Sequence, residues 1–134
     1  MADLASTRIF GKLTVMHDAH INGDLTTDGT VNGSSDSRLK ADVAVIEDAL
    51  SKVGKLRGYT YVFRADPTRR HTGVIAQEVK DVIPEAVRER EDGYLTVAYG
   101  NLVGLLIEAI NEGERRRESL ESRIEELEKN RGNS

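Results

Sequence analysis

Residues 33–40 read Gly33-Ser34-Ser35-Asp36-Ser37-Arg38-Leu39-Lys40, and the character of the chain changes across them. A glycine-punctuated repeat precedes them and mixed helix and strand signals follow. An abrupt change of this kind marks a boundary.

Working toward the N-terminus, the repeat has a period of six. Gly11, Gly23 and Gly29 fall in one column, Leu13, Ala19, Leu25 and Val31 in a second, and Val15, Ile21 and Thr27 in a third. His17 interrupts the glycine column and Gly33 ends the third. Apolar positions alternating with polar ones give strand periodicity, and a glycine every six residues permits a tight corner. The expectation is one face of a β-helical or triple-β stalk over residues 1–34, with the hexads at 11–33. Four hexads cannot close a core, so the segment is either cut from a longer stalk or completed by the faces of three chains. A pair of hairpins is the plainer alternative.

Toward the C-terminus, residues 35–112 read as a small mixed α/β domain. Leu39, Val43, Ile46, Leu50 and Val53 recur at four and three residues, a helical stripe stopped by Gly54 and Gly58. Tyr59 to Phe63 reads as a strand, Asp66-Pro67-Thr68-Arg69-Arg70 as a turn, and Gly73-Val74-Ile75-Ala76 as a second apolar run pairing with the first. Pro84 interrupts Val82-Ile83, Glu91-Asp92-Gly93 signals a turn, and Tyr94-Leu95-Thr96-Val97 alternates like a short strand. A last helix begins near Tyr99.

In that helix Tyr99, Val103, Leu106, Ile110, Gly113, Arg117, Leu120, Ile124 and Leu127 alternate in spacing by four and three, which is a heptad seam. Gly113 and Arg117 weaken it, and glycine there favours a break after Glu112. Beyond Glu112 most other positions are charged or serine, so the apolar stripe is narrow and self-association would bury it. Residues 113–134 are therefore expected to form a coiled-coil helix and tail; a solvated tail is the alternative. The fold class expected is α+β.

Composition fits a chain with an exposed or coiled-coil portion, since charged residues make up 31% and aromatics 4%. A chain of 134 residues buries a modest core, so help from a partner chain is natural. The net charge of -4 speaks against general nucleic-acid binding, and Arg115-Arg116-Arg117 sits among acidic residues as a solvated helix face would. With no cysteine there is no disulfide, thiolate metal site or cysteine nucleophile. Neither a signal peptide nor a membrane span is legible, so the chain reads as soluble. His17 and His20 could meet at a metal across a threefold axis, but their spacing matches no ligand motif; no cofactor or metal is expected.

At the boundary, Ser35 and Lys40 could serve as nucleophile and base. A hydroxyl attacks well only when a neighbour takes its proton, and a lysine can do so if its surroundings keep it neutral. Five residues do not place the two on one helical face, so a strand or turn would have to join them. The residues alone favour a helix cap at Asp36 or Ser37 with Lys40 in solvent.

The run Ser35 to Lys40, with Ile46, Ala49-Leu50, Val53, Tyr59-Thr60-Tyr61, Gly73 to Val79, Ile83 to Val87, Gly93 to Val97 and Leu102-Val103 through Ile110, resembles the intramolecular chaperone auto-processing domain. That family stands at the C-terminus of phage endosialidases, tail fibres and neck appendages, with a related domain in myelin regulatory factor. The resemblance implies a homotrimeric chaperone that aligns three chains while an upstream fibre or tailspike stalk, its folding client, assembles in the host cytoplasm. It then cuts the Ser34–Ser35 bond, with Ser35 attacking and Lys40 taking the proton, and leaves the mature fibre. His71 falls where the family often has a histidine important for processing, Gln77 is a further hydrogen-bonding candidate, and Asp36 and Arg38 could position the cleavage loop. Neither membrane nor nucleic acid enters. A structural trimerisation cap that does not cleave is the rival, and a hexapeptide-repeat transferase would need many more hexads.

Overall fold

The computed structural model describes residues 5–133. The chain divides into two units, residues 1–41 and 42–134.

In the first unit, residues 5–36 form neither helix nor strand, and Leu13, Val15, Ile21, Leu25 and Val31 are more than half exposed. Neither the β-helical face nor the alternative hairpins form in the single chain. Strand edges gain nothing unless another strand pairs with them, and one row of hexads offers no second face.

In the second unit α1 (Ala49–Gly54), a hairpin of β1 (Tyr59–Phe63) and β2 (Asp66–Gly73), α2 (Ala76–Val82), a hairpin of β3 (Val87–Glu89) and β4 (Leu95–Val97) and the long α3 (Leu102–Gly132) follow in order. The architecture is mixed α and β with two small antiparallel sheets.

The expected helix from Leu39 to Val53 shrinks to its last turns. Asp42 and Asp48 have positive φ (51° and 53°), a left-handed conformation that ends a right-handed helix. Leu39 and Val43 are exposed, and only Ile46, Leu50 and Val53 keep the inward stripe. Leu50 N–H, one of the unpaired donors of the first turn of α1, donates to Glu112 Oε2 of α3 at 2.9 Å.

β1 falls where the alternation places it, but the turn does not. The chain reverses at Arg64-Ala65, with Phe63 opposite Asp66. Asp66 Oδ1 accepts from the Thr68 hydroxyl at 2.5 Å and from its N–H at 3.2 Å, so the Asp-Pro-Thr signal builds a bulge where register slips between Val62 and Phe63. Pro67, which lacks an N–H, sits in that irregularity. Gly73 ends β2, and Ala76 already belongs to α2.

The second hairpin turns at Gly93, whose φ of +85° suits glycine. Pro84 opens a 3-10 turn, Pro84–Ala86.

The core lies where α3 crosses these pieces. Leu105 and Ala109 pack with Ala49, and Leu102 packs with Val79 and Ala86; Leu56 and Ile83 join both groups. α3 passes Gly113 without a break. One glycine costs a helix about 1 kcal/mol, which its flanking residues offset: Glu112 holds both Leu50 N–H and Arg116 (2.9 Å), and Arg117 binds Glu114 and Glu121 at 2.7 and 2.6 Å.

Leu102, Leu105 and Ala109 are buried, whereas Val103, Leu106, Ile110, Leu120, Ile124 and Leu127 stand 48–68% exposed. The heptad seam is thus a second face of α3 that the domain's own core leaves uncovered.

Candidate active site

Asp36 has an extended backbone and caps the 3-10 turn Ser37–Leu39. Its Oδ1 accepts from Arg38 N–H at 2.9 Å, and the Arg38 guanidinium closes on both carboxylate oxygens, at 3.0 Å from Nε to Oδ1 and 2.7 Å from Nη2 to Oδ2. The Arg38 side chain first, and its backbone N–H second, hold the Asp36 carboxyl below the usual aspartate range. The turn closes with Lys40 N–H donating to Ser37 C=O at 3.1 Å.

This turn reverses the chain so that Lys40 Nζ donates to Ser35 Oγ at 2.9 Å. The cap and the pair, which the sequence leaves as alternatives, coexist: the Asp36 cap creates the turn that brings Ser35 and Lys40 together. Both side chains stand in solvent in the single chain.

His71 and Gln77 belong to the second unit. The His71 ring, on β2, stacks on Tyr61 (centroids 5.7 Å apart, 20° between planes) and meets Phe63 edge-on at 5.0 Å. Gln77, in the first turn of α2, lines a groove of about 410 Å³ together with Tyr61, Phe63, Tyr94 and Tyr99. Four of the chain's six aromatic residues meet there, a concentration in so aromatic-poor a chain that the sequence reading passed over.

Also missed is the Tyr59 phenol, which donates to Glu78 Oε1 at 2.7 Å. The bond to Glu78 is the main reason its ionisation is pushed above the ordinary tyrosine range. Glu78 Oε2 is buried without a hydrogen-bond partner.

His20 Nε2 pairs with Asn22 Oδ1 at 2.8 Å. Among the described residues no three His, Cys, Asp or Glu gather as metal ligands, and no helix is long and apolar enough to cross a membrane.

The turn that begins at Ser35 coincides with the start of a family match: the model of a peptidase family described as chaperone of endosialidase matches residues 35–88. Over those residues the chain is similar to the chaperone-of-endosialidase family. Similar proteins include the long tail fiber protein Gp37 of Enterobacteria phage K3, 38% identical over 120 residues and 80% of this chain. Gp37 of Enterobacteria phage Ox2 is 34% identical over 76% of the chain, and myelin regulatory factor homolog 1 of Caenorhabditis elegans 33% over 79%. The chain spans 9%, 46% and 12% of those three proteins respectively. Ser35 is the first residue of the family match.

Proposed function

We propose that this chain is the self-releasing chaperone of a phage tail fibre or tailspike. Three copies associate through α3, align the upstream stalk of residues 1–34 and whatever precedes it, and then each copy cuts its own Ser34–Ser35 bond once. The observation that carries the reading is the 2.9 Å hydrogen bond from Lys40 to Ser35 at the first residue of the family match.

In the reaction Lys40 takes the Ser35 hydroxyl proton as Oγ bonds to the carbonyl carbon of Ser34. The C–N bond breaks, the Ser35 nitrogen leaves as an amine with the proton returned from Lys40, and Ser34 is held as an ester on Ser35 Oγ. Water then hydrolyses the ester to a Ser34 carboxylate and the free hydroxyl. No cofactor is needed, because nucleophile and scissile bond are adjacent in one chain, and such proximity is worth roughly 7–11 kcal/mol of barrier. Asp36 and Arg38 hold the turn, and His71 and Gln77 are auxiliary candidates. A lysine acts as a base only where burial or positive neighbours keep it neutral; with both groups in solvent in the single chain, assembly has to supply that environment.

Self-association is supported by the uncovered seam of α3. β-branched residues alternating with leucine along it also suit two-stranded coils, so the number three comes from the family resemblance. Release has a kinetic rationale: once the trimeriser leaves, the assembled stalk has no easy route back through its assembly barrier. The host cytoplasm is the compartment this assembly implies, and the virion tail is the destination of the fibre.

The test is the denatured intact mass and the native mass of the chain beside Ser35→Ala and Lys40→Ala. Loss of 34 residues in the parent alone, with threefold native mass in all three, supports the proposal. An uncut parent with threefold mass leaves a structural trimerisation cap, and a monomer contradicts both.

A further inference from the structure

The first unit holds the same reactive dipeptide twice. Asn22-Gly23 follows Ile21 and Asn32-Gly33 follows Val31, so each asparagine has a β-branched residue before it and a glycine after it. Both asparagines are exposed, in backbone that is neither helix nor strand. A Cβ at Gly23 or Gly33 would meet nothing within 4 Å, and neither glycine N–H has a partner among the described residues. Each glycine nitrogen can therefore give up its proton and close onto the side-chain amide that precedes it.

Asn101, Asn111 and Asn130 differ. Asn111 and Asn130 lie inside α3, where the N–H that follows is committed to the helix. After Asn101, Leu102 N–H donates to the carbonyls of Tyr99 and Gly100.

What separates the matched pair is the contact each amide makes. Asn22 Oδ1 accepts from His20 Nε2 at 2.8 Å; a carbonyl oxygen has no proton to give, so the imidazole is the donor. Asn32 instead donates through Nδ2, to Thr30 Oγ1 at 3.3 Å. The first contact draws electrons from the carbon under attack and meets the negative charge that grows on Oδ1, as an oxyanion-binding donor does. The second leaves Oδ1 unassisted.

We propose that Asn22 is a self-modification site at which His20 promotes loss of the side-chain amide. Gly23 nitrogen, its proton taken by solvent, bonds to Asn22 Cγ while His20 steadies Oδ1. The Cγ–Nδ2 bond then breaks, and Nδ2 leaves as ammonia with a proton from solvent, closing a succinimide. Water opens the ring at either carbonyl to give aspartate or isoaspartate; water is consumed, ammonia is released and nothing is oxidised. The isoaspartate route threads the backbone through the side-chain methylene, so Leu25 and Val31 lose their hexad phase with Leu13 and Ala19. A chain left unassembled thereby loses the alignment that a stalk requires. The site is independent of cleavage at Ser34–Ser35.

Incubating the full-length chain at neutral pH and reading its protease fragments by tandem mass spectrometry gives the rate at each asparagine, from the mass gained as amide becomes carboxyl. One hydrogen bond of ordinary strength predicts that Asn22 converts about two- to tenfold faster than Asn32. His20→Ala should bring Asn22 down to the Asn32 rate and leave Asn32 unchanged, and concentrated denaturant should equalise the two in the parent. Equal rates in the native parent, intact amides at both sites, or an undiminished lead of Asn22 in His20→Ala overturns the proposal. None of these outcomes touches the chaperone reading, which the masses of the Ser35 and Lys40 variants decide.

Discussion

Lys40 Nζ and Ser35 Oγ, five residues apart in sequence, lie 2.9 Å apart across a turn capped by Asp36. Arginine in place of Lys40 would keep a cationic donor but could not become a neutral base. Lys40→Arg is expected to slow cleavage by roughly 10²–10⁴-fold and to leave self-association intact, read by denatured mass against time and by native mass.

Asp36 acts through the turn. Asp36→Ala removes the acceptor for Arg38 N–H and the anchor of its guanidinium, so cleavage slows while Ser35 and Lys40 remain. Because the folded carboxyl titrates below its unfolded range, its contribution to the turn is present above the unfolded value and fades as pH falls through the lower folded one. A carboxyl-carbon NMR titration should place Asp36 below the ordinary aspartate value of about 3.9, and Arg38→Ala, which removes the guanidinium but keeps the backbone N–H, should bring it part of the way back.

Tyr59 gives the opposite sign. Its bond to Glu78 raises the folded phenol above the unfolded value, so the contribution is whole below about pH 10 and is lost as pH rises through the higher folded value. Tyr59→Phe should lower the Tm by a few degrees at neutral pH, because it strands a second oxygen of a carboxylate already short of one partner. It should also remove a tyrosinate component that titrates above the ordinary tyrosine range.

A methyl at Gly73 would lie 2.6 Å from the Tyr99 hydroxyl and 3.4 Å from the Tyr61 ring. Gly73→Ala is expected to cost about 1–3 kcal/mol, measured by denaturant unfolding. Adding Tyr99→Phe, which takes away the colliding oxygen, should recover much of that loss.

What was legible in the sequence follows from which forces were local. β1 shows in the alternation of Tyr59 to Phe63, and α3 in a period that holds from Val103 to Leu127, because each pattern records a continuous buried or buriable face. The helix expected from Leu39 was not there to be read: its period is interrupted at Asp42 and Asp48, whose left-handed backbone leaves no mark on a hydrophobic pattern. Asp66-Pro67-Thr68 carries the chemistry of a turn, yet the aspartate spends it on a bulge inside β2. The residues named Ser35 and Lys40 as a candidate pair but gave no ground to prefer it to a plain cap without the family resemblance, since a 3-10 turn of three residues is too short to impose a period. The aromatic groove gathers residues from β1 and from the far end of the domain at Tyr94 and Tyr99, which spacing along the chain cannot announce.

Self-cleavage through a Ser35 ester is the central claim, and trapping that ester tests it most directly. The freshly folded chain incubated with hydroxylamine should release residues 1–34 as a Ser34 hydroxamate, measured by mass, beside a fragment whose first residue is Ser35. A chain that stays whole, or one that is cut at another bond, would contradict the account.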